Sequence, residues 1–547
     1  MTPDEHPLNR ARALERLRSE TFDLAIIGAG INGAAVARDA AMRGLSVALV
    51  DRGDFAGGTS SRSSKLIHGG LRYLPQGQLK LVYQALRERE RLRRRTAPHL
   101  VKPIRFLFPI YRGRGFGRFT MSMGLWLYDL FARTPRAEWH RNLSAARVRE
   151  FEPALARAGL TGGSLYFDAW ADDARITFEN ILDAAIHGAA IANYLSVEGF
   201  GRDAAGRLCA MVVKDFATGA SFDLRARRFV NAAGPWVDQI RRMDDPAVKN
   251  CVRLTKGVHL VFARTALPVH DALVLADESG RIVFVMPHGS YVLVGTTDTD
   301  YHADPAAVAA DRTDVAYLLG VLGESLPGIK LSVQDIASSF AGLRALVKNG
   351  ADANSPSSIS REEVVIESSS GMLTVAGGKL TTHRGIAEKL VTRVMKDLGR
   401  SPGICPTRDT PLPGARADDT AGARADAEAL ATLPRAAREI LLARYGTRAG
   451  IPAQIAATRS DLAAPLAPGC PVLAAEVIHA VRNEMVSCLA DFMVRRSAMV
   501  WRYPVEAEAA ADAVVRLMAP ELGWDAARAA RELAGFRADM TRRRAPG

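Results

Sequence analysis

The chain has 547 residues, 48% hydrophobic and 24% charged, the balance of a folded protein, which excludes a disordered, collagenous or coiled-coil chain. At roughly 100–200 residues per domain, the length accommodates two to four packed units. The 72 Lys and Arg exceed the 59 Asp and Glu by 13, a surplus that suits an anionic small molecule, nucleic acid or an anionic membrane face and by itself ranks none of them.

In chain order, the opening MTPDEHPLNRARALERLRSE places charges where a secretory signal would need an apolar core. No run of about 18 apolar residues occurs, so no spanning helix is predicted. The cysteines, Cys209, Cys251, Cys405, Cys470 and Cys488, form no C-x-x-C pair. Neither a disulfide framework nor a zinc site is therefore expected, and no metal is assigned. A reducing, cytoplasmic-side protein is the expectation.

FDLAIIG (residues 22–28) is a short apolar run rich in β-formers and predicts a buried strand. Residues 31–43 are Ala-rich and helix-compatible, with Gly44 as the stop, and LSVALVD (45–51) is a second apolar run ending on an acid. Strand, helix and strand within about 30 residues make a βαβ unit, which requires parallel pairing. Between the first strand and the helix lies Gly28-Ala29-Gly30-Ile31-Asn32-Gly33, a G-x-G-x-x-G. The first glycine permits the tight turn, the second lets backbone approach a pyrophosphate, and the third lets helix pack on strand. The helix N-terminus presents unpaired N–H groups to the phosphates, and Asp51, 18 residues after Gly33, is placed to accept hydrogen bonds from a ribose diol. The bland alternative is a structural turn, and the glycines do not choose between FAD and NAD.

Residues 57–74, GGTSSRSSKLIHGGLRYL, offer many hydroxyl and amide donors to a pyrophosphate and a ring system, or form a polar surface loop with a basic end. RERERLRRR (87–95) and RGRGFGRF (112–119) precede TMSMGLWLYDLFAR (120–133). At helical spacing Phe119, Met123, Trp126 and Leu130 share a face, which Leu127 and Phe131 widen. That is the recipe for an in-plane interfacial helix, too short and interrupted to span; a core helix with solvated arginines is the alternative. NAAGPW (231–236) fits a strand end where small residues let the chain pass a cofactor closely. LVFA (260–263), RIVFVMP (281–287) and YVLVGTTD (291–298), joined by short turns, predict antiparallel strands of a separate sheet. TPLPGARADD (410–419) reads as a linker. A helical domain is expected beyond it to about residue 534, and a disordered tail at Arg542–Arg544. No nucleic-acid module is visible, so nucleic acid is dropped as a partner.

Several of these blocks, DLAIIGAGINGAAVARDAAMRGLSVALVD, TSSRSSKLIHGGLRYL, APHLVKPIRFLFPIY, FDAWADDARI, FVNAAGPWVD, RLTKGVHLVF, RIVFVMPHGSYVLVGTTDTDY and GGKLTTHRGIAEKL, follow one another from residue 22 to about 395. Together they resemble the FAD-dependent glycerol-3-phosphate dehydrogenases of the aerobic, quinone-linked type. The resemblance implies an α/β (α+β overall) fold: a discontinuous Rossmann-type FAD-binding domain (20–111, 160–255 and 335–400), an antiparallel-sheet substrate-capping domain (256–334) and a helical C-terminal domain (410–540). A basic, amphipathic, membrane-facing insert (112–159) lies between the pieces.

The resemblance also implies FAD as cofactor, sn-glycerol 3-phosphate as substrate and a membrane quinone as electron acceptor, with an O2-using oxidase of the same fold as the alternative. A non-catalytic flavin-binding protein is disfavoured because His68, Arg72, Lys256, Arg344 and Lys379 are all present. The enzyme would lie peripherally on the inner face of the cytoplasmic membrane, docked on an anionic surface through about residues 87–133. Oligomeric state stays open, a homodimer included.

FAD-contacting candidates are Gly28, Gly30, Asn32, Gly33, Asp51, Thr59, Ser60, Ser61, Ser64, Lys65, Leu66, His68, Ala233, Gly234, Trp236, Gly378, Lys379, Leu380 and Thr381. His68 is the expected base, because imidazole titrates near neutral pH. Arg344 in SFAGLRALV is the expected catalytic and substrate-binding cation, since a guanidinium fork matches a phosphate or developing alkoxide bidentately. Arg72, Lys256, His259 and Lys379 complete the expected cationic substrate pocket. Ala345 and His383 depart from the family's proline and tyrosine, which puts the aim of Arg344 and the role of that phenol in question.

Overall fold

The computed structural model describes residues 6–74, 77–113, 117–347, 363–417 and 423–544. The βαβ unit forms as strand Thr21–Ile27, helix Ile31–Met42 and strand Val47–Val50, the two strands parallel with Leu24 opposite Val47. Both faces of these strands are covered, which is why they read as unbroken apolar runs and not as alternating ones. The sheet continues on one side through Ser221–Asn231 and Met372–Ala376, both parallel, to an antiparallel edge, Val364–Glu367. On the other side it ends at Ala190–Ala192. Helices Ile31–Met42, Asp173–Ile186 and His383–Asp397 pack on it, and Leu24, Ile26, Val36, Leu49, Ile181 and Leu390 share one buried core.

The second sheet is built on Val252–Ala263, which pairs antiparallel with Ile336–Val347 on one edge. On its other edge it meets Tyr291–Gly295 and Thr299–Asp300. Beyond Tyr291–Gly295 come Ile282–His288, Ala272–Ala276, Lys102–Tyr111, Leu160–Trp170 and Leu66–Ile67. The expected antiparallel strands are therefore present, but the expected domain boundaries cut across their sheet. Leu66–Ile67, Lys102–Tyr111, Leu160–Trp170 and Ile336–Val347, placed by sequence with the FAD-binding pieces, hydrogen-bond into this sheet instead. Side-chain alternation specifies which face of a strand is buried and not which distant strand lies beside it.

The segment expected as a separate insert is likewise stitched in, since Arg141–Ser144 pairs with Leu160–Trp170. Its helix, Arg118–Ala132, buries Met121, Leu125, Tyr128, Asp129 and Ala132. Phe119, Met123, Trp126 and Leu130 stand 78%, 58%, 54% and 68% exposed on the opposite face. Five of the six arginines in the expected basic strip at 87–95 are paired. Arg89 pairs with Asp168, Arg91 with Glu88, Arg93 with Glu90 and Glu138, Arg94 with Glu90, and Arg95 with Asp409. Residues 114–116 of that basic region lie outside the described residues.

The expected linker is a strap laid on the first domain: the Leu412 N–H donates to the Thr96 carbonyl at 2.7 Å, the Gly414 N–H donates to Glu179 at 2.9 Å, and Arg38 donates to the Thr410 carbonyl at 2.8 Å. The helical domain beyond has its own core around Leu441, Val477, Phe492, Val514 and Met518. The expected disordered tail is instead the end of helix Ala526–Arg544. Arg543 donates to the Ser339 carbonyl at 3.2 Å, Ser339 Oγ donates back to the Arg543 carbonyl at 2.7 Å, and Arg544 pairs with Glu508. Asp539, one turn back on the same helix, also pairs with Arg542 and Arg543, so the arginine run is held within its helix and docked on distant partners.

Candidate active site

A cavity of about 560 Å³ opens at the carboxyl ends of the parallel strands, where open α/β sheets bind ligands. Its floor is the glycine turn. Gly28 sits at φ +99°, and a Cβ there would come within 2.8 Å of the Ala232 carbonyl oxygen; a Cβ on Gly33 would come within 1.9 Å of the Gly28 carbonyl oxygen. Helix and strand thus meet backbone to backbone, and the helix N-terminus faces the cavity with its partial positive charge. Ser60 Oγ accepts the Ile31 N–H there at 2.8 Å. Asp51 accepts from the Ala29 N–H at 2.6 Å and the Gly53 N–H at 2.9 Å, so one carboxylate braces the glycine turn and the turn after the second strand. Burial pushes its pKa up to about 6 against those two N–H groups.

Of the sequence-derived candidates, Gly28, Gly30, Asn32, Asp51, Thr59, Ser60, Ala233, Gly234, Trp236, Gly378, Lys379, Leu380 and Arg344 line this cavity. Asn32 Oδ1 and Trp236 Nε1 are buried in its neighbourhood without a hydrogen-bond partner among the described residues, the condition of a polar wall built for a ligand. Arg52 lies over the Trp236 ring, 5.7 Å from its centre.

The candidates Gly33, Ser61, Ser64, Lys65, Leu66, His68, Thr381, Lys256 and His259 lie outside this lining. Lys65, at φ +60°, turns its ammonium to Asp173 and the Ser61 carbonyl, each at 2.6 Å. Ser63 donates to the same Asp173 at 2.7 Å. Lys65 therefore fixes the Ser-rich loop, where the sequence suggested contact with the cofactor. Ser64 Oγ and His259 Nε2 are 2.8 Å apart. The His68 N–H donates to Thr381 Oγ1 at 3.1 Å, and that hydroxyl donates to the His68 carbonyl at 3.2 Å, which ties the KLIHGG loop to the GGKLTT turn. The next N–H, of Gly69, donates to Tyr128 Oη at 2.8 Å, and Tyr128 in turn donates to Asp168, which pairs with Arg89. Lys379 Nζ stands 3.9 Å from the centre of the Tyr73 ring. The side chain of Arg72 lies outside the described residues.

The opposite wall comes from the second sheet, tied on by Thr59 Oγ1 donating to the Leu343 carbonyl at 2.7 Å. Along Val252–Ala263 the odd residues Thr255, Gly257 and His259 pair with Arg344, Gly342 and Phe340 and share the site-facing side. Arg344 is held by the Thr297 carbonyl at 3.2 Å, Asp298 at 3.1 Å and Thr296 Oγ1 at 3.1 Å. The departure at Ala345 leaves a regular strand, paired with Leu254.

Lys256 is the correction. It falls on the other side of its strand and pairs with Asp311 and with Asp314 at 2.6 Å, so it is not part of the substrate pocket. His259 is near the site but supplies no positive charge: burial first, then Arg344 and Lys65, hold its pKa well below the ordinary value, and its ring stacks on Phe340. His383 is similarly neutral, its pKa brought down to about 4 by burial, and its Nδ1–H donates to the Leu380 carbonyl at 2.7 Å.

Sequence reasoning missed Asp173, Tyr128 and Asp168. Each lies on an element far from its partner in sequence, and only the D-A-W-A-D-D-A-R run carried a signal, paired acids of the kind that open a helix.

A parallel sheet with a glycine cradle at a helix N-terminus and an acid ending the next strand defines a dinucleotide-binding protein. Residues 23–384 match the family described as FAD dependent oxidoreductase, and residues 405–529 match the C-terminal domain of alpha-glycerophosphate oxidase. The aerobic glycerol-3-phosphate dehydrogenase of Staphylococcus haemolyticus is 36% identical over 531 residues, covering 94% of each chain. That of Staphylococcus aureus (strain USA300) is 36% identical over 533 residues, covering 95% of this chain and 94% of that one. The structure of the glycerol-3-phosphate dehydrogenase of Bacillus halodurans with FAD superposes at a TM-score of 0.80, with 29% identity and 99% of both chains covered. The chain belongs to the FAD-dependent glycerol-3-phosphate dehydrogenase family, and its cofactor is FAD.

The glycine cradle, the unpartnered Asn32 and Trp236 atoms and Asp51 fit that cofactor. The pKa of Asp51 gives a testable pH dependence. Because burial raises it, the group's contribution to folding stability is fully present below an ordinary carboxyl value of about 4 and is lost as pH rises through about 6. FAD binding is expected to run the other way, because an ionised carboxylate is the form that accepts from ribose hydroxyls. The FAD dissociation constant is expected to rise by up to tenfold per unit as pH falls below about 6, and Asp51→Asn to flatten the curve; fluorescence titration of the apoprotein across pH 4.5–8 checks it.

Proposed function

We propose that this chain oxidises sn-glycerol 3-phosphate to dihydroxyacetone phosphate and passes the electrons to a membrane quinone. The observation that carries the reading is Arg344, a guanidinium from the second sheet that lines the same cavity as the glycine cradle of the first. Bound FAD supplies the acceptor for the substrate's C2 hydride. Arg344 holds the phosphate dianion or the developing alkoxide, aimed by Thr296, Thr297 and Asp298. His68 takes the C2 hydroxyl proton, its main chain pinned by Thr381. Loss of that proton and of the C2 hydride leaves the ketone.

Adding glycerol 3-phosphate anaerobically is expected to bleach the flavin absorbance, and an unbleached spectrum would remove the substrate. Reoxidation is then followed with a quinone and with O2. Rapid peroxide release in place of quinone reduction would make the chain an oxidase. Arg344→Ala is expected to raise KM about 10- to 100-fold, the worth of one charge-assisted hydrogen-bonded contact of about 1.5–3 kcal/mol, with FAD retained. Unchanged steady-state kinetics would take Arg344 out of the site.

We also place the enzyme on an anionic membrane surface, through helix Arg118–Ala132. Among the described residues no helix is long and apolar enough to cross a membrane. The exposed face of Phe119, Met123, Trp126 and Leu130, with Arg118 and Arg133 at its two ends, supports lying in the interface. The double change Phe119→Glu and Trp126→Glu is expected to reduce co-sedimentation with phosphatidylglycerol vesicles at least tenfold, since burying each aromatic side chain is worth about 1.5–3 kcal/mol. Equal sedimentation by the double variant would dismiss this helix as the docking face.

A further inference from the structure

The C-terminal helical domain reaches the cofactor cavity. Arg495 lies in its wall beside Asp51, Arg52, Gly53, Asp54 and Tyr194. The contact is a built network. Asp54, whose side chain is fully buried, receives Arg495 on one oxygen and Arg496 on both, the latter at 2.9 Å each. Asn193 donates to Asp54 at 3.3 Å and to the Met485 carbonyl at 2.9 Å. Arg495 also pairs with Asp491 at 2.6 Å, and Tyr194 Oη donates to that same carboxylate at 2.6 Å.

The backbone between these groups belongs to the nucleotide-binding face. Leu195 N–H donates to the Asp51 carbonyl at 2.7 Å and Tyr194 N–H to the Gly53 carbonyl at 3.0 Å, while Gly57 N–H donates to the Asp54 carbonyl at 3.0 Å. Asp54 is therefore the pin between the ribose-side acid and the Gly57–Ser60 segment that lines the cavity. A carboxylate so far from water is tolerated only while its cations are in place. Both cations come from the C-terminal domain, more than 400 residues away in sequence.

We infer that the C-terminal helical domain completes the FAD site: Arg495 and Arg496 lock the turn from Asp51 to Gly57, and Arg495 serves as a wall residue for the ADP half of the cofactor. In the ligand-free state this domain is expected to loosen and on FAD binding to tighten, so the helical appendage is a positioning element for the dinucleotide. The inference rests on the reading of the cavity as the FAD site, which fits the glycine cradle at its floor.

The test titrates FAD, and separately ADP, into the full-length apoprotein, with far-UV circular dichroism as the check on folding. Arg495→Gln leaves Asp54 paired with Arg496 and is expected to raise both dissociation constants at least tenfold. Arg537→Ala, which removes an exposed ion pair with Asp512 between the last two helices and touches no residue of the cavity lining, is expected to leave them at the parent values. Parent-like affinity in Arg495→Gln overturns the inference, as does an equal loss in Arg537→Ala. Should Arg495→Gln fail to fold, hydrogen exchange on the unsubstituted protein decides. FAD is expected to slow exchange across residues 485–496 at least tenfold, and no slowing there overturns the proposal. Failure of the unsubstituted apoprotein to bind FAD would strike at the cavity reading instead, a distinguishable result.

Discussion

Gly33→Ala is expected to leave a protein that no longer retains FAD through gel filtration. The added methyl would sit 1.9 Å from the Gly28 carbonyl oxygen and 3.1 Å from its carbon. Neither neighbour is the end of a flexible side chain; both belong to the turn that forms the cavity floor. Helix Ile31–Met42 must then move off strand Thr21–Ile27 by an ångström or more. That carries away the Ile31 N–H held on Ser60 and the Ala29 N–H held on Asp51. Overpacking of this kind costs about 1–3 kcal/mol even in side-chain cores. Affinity is therefore expected to fall by on the order of 100-fold, with further loss as the phosphate-facing N–H groups turn away. Absorbance at the flavin bands after desalting measures it. A yellow, stoichiometric Gly33→Ala protein would mean that the cofactor is not seated on this turn.

His68→Asn is expected to lower kcat by roughly 10²- to 10⁴-fold, the usual contribution of a positioned general base, while FAD stays bound and KM changes little. Asparagine keeps a polar side chain of modest size and leaves the backbone ties intact: N–H to Thr381, carbonyl from Thr381, and the following Gly69 N–H to Tyr128 and Asp168. What is lost is the imidazole nitrogen that accepts the proton. The stopped-flow rate of anaerobic flavin reduction isolates this step from reoxidation. A rate within threefold of the parent would assign the proton to another acceptor. A fall in FAD content without loss of rate per bound flavin would make His68 a cofactor-loop residue only.

The site is unevenly legible in sequence. The cradle is local: Gly28, Gly30 and Gly33, the helix after them and Asp51 ending the next strand lie within 24 residues, with Gly33 against Gly28 and Asp51 on the Ala29 N–H. The glycine spacing therefore carried its chemistry on its face. Lys256 is the opposite case. It sits in a block that matches the family, one position from residues that do face the site, and strand pleating sends it to Asp311 and Asp314. The arginine run at 87–95 was readable as charge but not as paired charge, because Asp168, Glu138 and Asp409 come from other parts of the chain. The amphipathic helix was open between core and surface; its face of Phe119, Met123, Trp126 and Leu130 is exposed because Met121, Leu125 and Tyr128 occupy the inner side.

By itself the sequence determined the βαβ unit, the existence of a second, antiparallel sheet and the helical C-terminal domain, since each follows from periodicity, turn residues or short-range spacing, while FAD in place of NAD came from the resemblance of whole blocks to a family. Tertiary structure decided which strands joined which sheet, that Lys256 leaves the pocket, that Lys65 is held by Asp173, and that the C-terminal domain closes on Asp54. Those outcomes depend on pairings between residues tens to hundreds of positions apart. A buried charge finds its partner by proximity in the folded chain, and local composition does not encode that proximity.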